Sequence, residues 1–120
     1  MQITTPNYMP HERLIVYGKA LSFQVAVYPL ARQRGLANLR DQLMRASESV
    51  VLNIAEGAGC TSFNDKRRFY EIAKGSIAEC SAILDLLQGR HAIRESEYLF
   101  NRNLAIEITL ILHALAGPPR

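Results

Sequence analysis

Cysteine is scarce in this sequence, and long apolar runs are absent from it. Cys60 and Cys80 are the only cysteines among the 120 residues; they lack a C-x-x-C spacing and do not form the pattern of a disulfide framework. No apolar run approaches the ~18 residues of a membrane span, and the first ten residues lack the basic start and apolar core of a signal peptide. These absences predict a cytoplasmic protein that has no membrane partner.

The length and composition predict one folded domain. A chain of 120 residues is long enough to bury one hydrophobic core but too short for two cores. Its 48% hydrophobic and 21% charged residues are ordinary for a globular protein and exclude a disordered chain. The net charge of +3 permits nucleic-acid binding without requiring it.

Apolar residues recur at steps of three and four along four segments, which is the period of an amphipathic helix. No alternating run indicates a strand. The sequence therefore predicts an all-α, up-down-up-down antiparallel four-helix bundle spanning residues 1–120, with short disordered ends. The predicted helices cover about residues 12–33, 36–56, 63–88 and 95–116.

Proline, glycine and capping residues set the predicted helix ends. Pro29 is expected to kink or end helix 1, because it removes a backbone donor. Gly57 and Gly59 are expected to end helix 2. Ser62 is expected to cap helix 3, with Asp65 reaching back from three residues on.

Two apolar stripes are expected to face the core from the first half of the chain. On helix 1 the expected stripe is Leu14, Tyr17, Leu21, Val25 and Tyr28. On helix 2 it is Leu39, Leu43, Ala46, Val50 and Ile54.

Helix 4 has more apolar surface than one bundle can cover. From Leu104 to Ala116 only Glu107, Thr109 and His113 are not apolar, and a helix that is apolar nearly all round must be covered on several sides. We therefore predict a homo-oligomer; a monomer with an apolar terminal helix is the alternative. The candidate contact residues are Ile106, Leu110 and Leu112 of helix 4 and Met44 and Val51 of helix 2.

Polar residues interrupt helices 2 and 3 beside their apolar stripes. We expect a buried or half-buried network in which Arg45 and Asn53 meet Glu56 and Glu79. Glu56 and Glu79 could instead form an acid–base or metal-ligand pair, but carboxylates beside an arginine are usually ion-paired and charged. Gly75, in mid-helix, indicates close approach of another helix. The full set of expected network residues is Gln42, Arg45, Asn53, Glu56, Gly57, Gly75, Ser76 and Glu79.

The histidines and cysteines lack the surroundings of known four-helix enzymes. Di-iron bundles need Glu-x-x-His pairs, whereas Gln88 and Leu110 stand three residues before His91 and His113. Cys60 has no histidine near it in sequence to generate a thiolate. We therefore predict a non-enzymatic protein with no catalytic residue, no metal and no cofactor.

Basic residues are expected to gather at the two ends of the bundle. The turns between helices 1 and 2 and between helices 3 and 4 share one end, and the start of helix 3 lies at the other. Acidic neighbours dilute both groups, but assembly of several copies would multiply the field. The candidates for nucleic-acid binding are Arg32, Arg34, Arg40, Arg90 and Arg94 at the first end and Lys66, Arg67 and Arg68 at the second.

Three motifs carry a family resemblance. They are Gln42-Leu43-x-Arg45-Ala46, then Ser49 with Asn53-Ile54-Ala55-Glu56-Gly57-x-Gly59, and then Arg68-Phe69-x-x-Ile72-Ala73-x-Gly75-Ser76-x-x-Glu79. The chain resembles a small bacterial family known as four-helix bundle proteins. An older label of this family was ribosomal protein, because some members are encoded inside intervening sequences of large-subunit ribosomal RNA genes.

The resemblance implies an antiparallel bundle that assembles into a homopentameric ring. One branch of the family, the accessory variability determinant of diversity-generating retroelements, binds a reverse transcriptase and nucleic acid through a basic surface. The chain departs from the pattern at Cys60-Thr61, where the family often has one or two arginines.

The sequence thus predicts an oligomeric scaffold that binds RNA, DNA or a nucleic-acid-processing protein such as a reverse transcriptase. A structural or protein-binding ring without nucleic-acid contact is the alternative. A hydrolase that uses Glu56 and Glu79 is a third class.

Overall fold

The computed structural model describes residues 7–31 and 37–118 of the chain. These residues form four long helices and contain no strand, which confirms the all-α class. A short 3₁₀ helix, Pro10–Arg13, comes before them. The helices are α1 (Ile15–Ala31), α2 (Ala37–Gly59), α3 (Phe63–Gly89) and α4 (Glu95–Ala116).

The helices pack in a closed cyclic order. Among the described elements, α1 contacts α2 and α4, and α3 contacts the same two helices, while neither diagonal pair is in contact. At most five residues separate consecutive helices, which are packed neighbours, so consecutive helices run antiparallel. The bundle has four sides, and the side between α1 and α2 lies opposite the side between α3 and α4.

The predicted helix boundaries agree closely with the observed ones for α3 and α4. Helix α1 begins later than expected, because the chain first forms the 3₁₀ helix, and Pro29 lies inside its last turn. Helix α2 continues through Gly57 to Gly59. The expected disordered ends fall on residues outside the described ranges, as do residues 32 and 33 of the predicted first helix.

The capping signals act at the start of α3 and α4. The hydroxyl of Ser62 accepts a hydrogen bond from the Asp65 backbone N–H at 3.1 Å, which confirms Ser62 as the cap. At α4, the Glu97 carboxylate accepts from the Arg94 backbone N–H at 2.9 Å. Each bond satisfies a backbone donor that the first helical turn leaves without a partner.

The core stripe predicted for α1 was wrong. Leu21, Val25 and Tyr28 are exposed, and Leu14 and Tyr17 are only partly buried. Both faces of α1 are apolar, so the three-and-four spacing fits either one. The face that packs inward consists of Val16, Ala20, Phe23, Val27, Leu30 and Ala31.

The core stripe predicted for α2 was largely correct, since Leu43, Ala46, Val50 and Ile54 are buried and Leu39 is partly buried. Helix α3 adds Tyr70, Ala73, Ile77, Cys80, Ile83, Leu84 and Leu87 to the same core. These positions follow the helical period, so one inward stripe per helix suffices to build the bundle interior.

Helix α4 is buried on one stripe only. Asn101, Ala105, Ile108, Leu112 and Ala116 face inward. By length and composition alone, α4 is also the one described helix that could cross a membrane. The core helix of a soluble protein passes the same test, but less than a third of the most apolar part of α4 is buried in the bundle. The surplus of apolar surface inferred from the sequence is therefore a feature of the folded chain.

Candidate binding surfaces

The side of the bundle between α1 and α2 is apolar. Leu21 and Leu52 are 41% and 62% exposed. A groove of about 130 Å³ lies among Leu21, Gln24, Glu48, Val51 and Leu52. Glu48 is its only charged lining residue. We call this side the α1/α2 face.

The opposite side, between α3 and α4, carries a second apolar groove, of about 320 Å³. We call it the α3/α4 face. Small residues form part of its lining, including Ala78, Ser81 and Ala105. Ile106 and Leu110 line it as well, although they are 41% and 65% exposed. The groove thus combines small side chains with large ones that contact water.

The five contact candidates from the sequence fall into two groups. Ile106 and Leu110 are exposed and line the second groove, and Met44 is half-buried, with its sulfur accepting from Gln24 at 3.6 Å. Leu112 was wrong as a contact candidate, because the core of the bundle buries it to 0% exposure, whereas Val51 is 9% exposed and lines the α1/α2 groove. Leu112 lies one turn after the buried Ile108, so it shares the inward stripe.

The side between α2 and α3 is polar and carries most of the motif residues. A groove of about 320 Å³ is lined by Gln42, Arg45, Ala46, Ser49, Ser76 and Glu79. The hydroxyls of Ser49 and Ser76 lie 2.8 Å apart and join the two helices. Asn53 donates to the carbonyl and hydroxyl of Ser49 at 2.8 and 3.0 Å. The link between the helices is therefore neutral and made by hydroxyl groups.

The predicted buried charge network was wrong. Arg45, Glu56 and Glu79 are exposed, as is Gln42, and no ion pair joins the three charged residues in the described part of the chain. Their positions on α2 and α3 lie beside the buried stripe and project outward, where water solvates the charges. Arg45 and Glu79 therefore remain accessible on the wall of the polar groove.

The two motif glycines differ in their surroundings. Gly57 is buried, and a Cβ atom placed on it would lie 2.6 Å from the ring of Tyr70. Gly75 is exposed, and a Cβ there would meet nothing within 4 Å. Close approach of another helix was thus the wrong explanation for Gly75 within the subunit. Gly57 makes room for an aromatic ring that the sequence did not place in the core.

Two of the predicted nucleic-acid residues donate hydrogen bonds to helix ends. The Lys66 ammonium donates to the carbonyls of Gly57 and Ala58 at 3.2 and 3.1 Å. The Arg67 guanidinium donates to the carbonyl of Gly117, at 3.4 Å, and to that of Pro118. Both cations therefore meet the partial negative charge at the C-terminus of a helix, Lys66 at α2 and Arg67 at α4.

The other basic candidates are distributed over both ends. Arg32 and Arg34 lie outside the described residues. Arg40 is half-buried. Arg68, Arg90 and Arg94 are exposed, and the Arg68 guanidinium stacks 4.4 Å from the centre of the Phe69 ring.

A cleft that was not predicted from the sequence lies where α3 begins and α4 ends. It has a volume of about 590 Å³ and is lined by Arg67, Glu71, Lys74, His113, Gly117 and Pro118. Lys74 lies 3.3 Å from His113 and 3.5 Å from Glu71. The sequence places Lys74 and His113 39 residues apart, so their contact depends on the packing of α3 against α4.

The perturbed titratable groups are phenols and one thiol. Burial raises the pKa of the Cys80 thiol to about 12, and the nearby Glu79 charge adds to this effect. Burial also raises the pKa of Tyr70, while the hydrogen bond that Tyr98 donates to Asp85 raises the pKa of Tyr98. Among the described residues, no three His, Cys, Asp or Glu side chains cluster as metal ligands would. These shifts disfavour the anionic form of each group, so none of the three is primed as a nucleophile.

Comparisons with known proteins found a family model that matches the chain and a solved structure with the same fold. A family model described as 23S rRNA-intervening sequence protein matches residues 12–114. The chain is also similar to a crystal structure from Bacteroides thetaiotaomicron, that of a protein of unknown function from the S23 ribosomal protein family. The two are 25% identical, with a TM-score of 0.80 over 87% of this chain and 100% of that one. No curated protein sequence matches the chain.

Proposed function

Because this chain belongs to the 23S rRNA-intervening sequence protein family, whose similar solved member is of unknown function, we propose a function from its own surface. The protein is a non-enzymatic scaffold that assembles from copies of itself. The observation that carries this proposal is the pair of apolar faces on opposite sides of one bundle. Leu110 on one side and Leu52 on the other are 65% and 62% exposed.

Apolar surfaces on opposite sides favour head-to-tail assembly. If one face met its own copy, each subunit would still expose the other face to water. When the α3/α4 face of one subunit covers the α1/α2 face of the next, both are buried in every subunit of a closed ring. A homopentamer is the ring that the family resemblance implies.

The test is a mixing experiment with one charged substitution on each face. Leu110→Asp disables the α3/α4 face and Leu52→Asp disables the α1/α2 face. Each variant alone should sediment as a single chain of 13.5 kDa, because every contact needs one intact copy of each face. A mixture should form a species of twice that mass and no larger, since two subunits then share one intact contact.

The control is Ile72→Asp, at an apolar residue of α3 that is 43% exposed outside both grooves. It should sediment like the unmodified protein. A monomeric unmodified protein at micromolar concentration would refute the assembly. An oligomer that survives in Leu110→Asp or Leu52→Asp alone would refute the head-to-tail arrangement.

Binding of nucleic acid is the second candidate function. The observation that favours it is the exposure of Arg90 and Arg94 at the turn between α3 and α4, where neither side chain is ion-paired to a described residue. Assembly would bring several such pairs to one rim. The resemblance implies RNA, DNA or a nucleic-acid-processing protein such as a reverse transcriptase as the partner.

Salt dependence of binding separates this candidate from a purely protein-binding ring. If labelled RNA, duplex DNA or an RNA–DNA hybrid binds, the logarithm of affinity should fall linearly with the logarithm of salt concentration. Arg90→Glu with Arg94→Glu should reduce the slope and the affinity without changing the sedimenting mass. If no nucleic acid binds at low salt, this candidate function is refuted, and the alternative of a ring without nucleic-acid contact remains.

A further inference from the structure

In the cleft between the start of α3 and the end of α4, hydrogen bonds fix the positions of the side-chain donors. The Lys74 ammonium lies 3.3 Å from the Nδ1 atom of His113 and 3.5 Å from Oε1 of Glu71. An ammonium can only donate, so Nδ1 of a neutral His113 is the acceptor and its proton resides on Nε2. Both side chains then retain an N–H group: the third one of Lys74 and the Nε2–H of His113.

Arg67 supplies a further fixed cation to the same cleft. Its guanidinium donates through one terminal nitrogen to the carbonyls of Gly117 and Pro118. A guanidinium has five N–H groups, so these bonds orient Arg67 and leave other donors for a ligand. The bonds also neutralise the carbonyls at the end of α4, which would otherwise repel an anion.

The charge of the cleft is positive. Arg67 and Lys74 contribute two positive charges and Glu71 contributes one negative charge, which the neighbouring Lys74 partly compensates. The donors belong to two helices and border one space of about 590 Å³, ample for a tetrahedral anion.

We infer that this cleft binds a phosphate group through Arg67, Lys74 and His113. A phosphate presents several strong acceptor oxygens, and bonds from cationic donors to such oxygens are roughly twice as strong as neutral ones. The inference gives the proposed nucleic-acid binding a second, defined position on the subunit. It does not depend on that function, because a free phosphate ester presents the same oxygens as a polynucleotide backbone.

The experiment is a titration of the full-length protein followed by ¹H–¹⁵N NMR at constant ionic strength. One arm uses inorganic phosphate and the other uses a short single-stranded oligonucleotide. The signals of Arg67, Lys74 and His113 should shift and saturate with inorganic phosphate. Lys74→Gln, and separately His113→Gln, should weaken the binding about tenfold, as expected for loss of one hydrogen bond to a charged group.

The matched control is Lys19→Gln. Lys19 is also a partly exposed, ion-paired lysine, 2.6 Å from Glu107, but it lies at the contact of α1 with α4. It should leave phosphate binding unchanged. Equal weakening by Lys19→Gln and Lys74→Gln would show a diffuse charge effect and overturn the site.

The remaining outcomes are also decisive. Shifts in both arms identify a polynucleotide backbone as a source of the phosphate, and shifts with inorganic phosphate alone identify a free phosphate or ester. No shift in either arm overturns the inference. If Lys74→Gln lowers the oligomeric mass and phosphate has no effect, the cleft binds a neighbouring subunit, and the inference is wrong while the scaffold proposal stands.

Discussion

Replacing Gly57 with alanine should destabilise the protein, although alanine is the better helix former. Gly57 lies inside α2, where alanine would be favoured over glycine by about 1 kcal/mol. Its Cβ atom, however, would lie 2.6 Å from Cε1 and 2.9 Å from Cδ1 of Tyr70. The Tyr70 side chain is 4% exposed and packed in the core, so its ring cannot swing away without moving other residues.

The control for this prediction is Gly75→Ala in α3. Gly75 is also a mid-helix glycine, but a Cβ atom there meets nothing within 4 Å. It should therefore stabilise the protein by about 1 kcal/mol. The helix-propensity gain is common to both substitutions, so the difference between them isolates the cost of overpacking, about 1–3 kcal/mol. For a domain of this size, each kcal/mol corresponds to about 4 °C in Tm.

Urea and thermal unfolding followed by circular dichroism, at one fixed protein concentration, will measure the difference. The Tyr70→Ala background provides the second half of a double-mutant cycle. With the ring removed, Gly57→Ala should become stabilising, like Gly75→Ala. If Gly57→Ala stabilises the unmodified protein as much as Gly75→Ala does, the steric argument fails.

Four further predictions follow from the described residues. Lys66→Ala should lower the free energy of unfolding by about 1 kcal/mol, because its hydrogen bonds to the end of α2 are lost. The control is Arg68→Ala, which removes an exposed cation and should change the free energy of unfolding by less. Urea unfolding will compare the two variants. Glu79→Gln should change the free energy of unfolding by no more than about 0.5 kcal/mol, because the carboxylate is exposed. A loss of several kcal/mol would contradict this and would support the buried network predicted from the sequence. Cys60, but not the buried Cys80, should react with iodoacetamide at pH 8 in the folded state, as mass spectrometry will show. Since folding raises the pKa of Cys80 from 9.0 to about 12, its contribution to stability is complete below pH 9 and falls between pH 9 and 12 by about 1.4 kcal/mol per pH unit. A Cys80→Ala variant should lose that slope.

The sequence predicted the elements of the fold better than their orientation. Helix ends depend on local signals such as Ser62, which acts over three residues and was predicted correctly, although α1 begins and α2 ends later than predicted. Helix α1 has two stripes of similar hydrophobicity, and either of them could have faced inward. Val16, Phe23 and Val27 are buried, while Leu21 and Val25 on the other face are exposed. The period is the same for both, so only the position of α2 and α4 decides between them.

The candidate site was less predictable because its contacts connect distant parts of the chain. Lys66 reaches carbonyls eight and nine residues earlier, across a turn whose geometry the sequence does not specify. Lys74 and His113 meet only after α3 and α4 have packed. The sequence located basic residues at the correct ends, but it could not distinguish cations that bind helix carbonyls from cations that face solvent.

The location of the family motif bears on what the assembly presents to a partner. Ser49 and Ser76 link α2 to α3, but Arg45 and Glu79 extend from the same motif into an open polar groove. Charged side chains that contribute nothing to the core are not explained by folding of the subunit. In the proposed head-to-tail ring, the α1/α2 and α3/α4 faces are covered by neighbours, while the side between α2 and α3 stays open. The ring would then repeat this groove, with one cation and one carboxylate, once in every subunit.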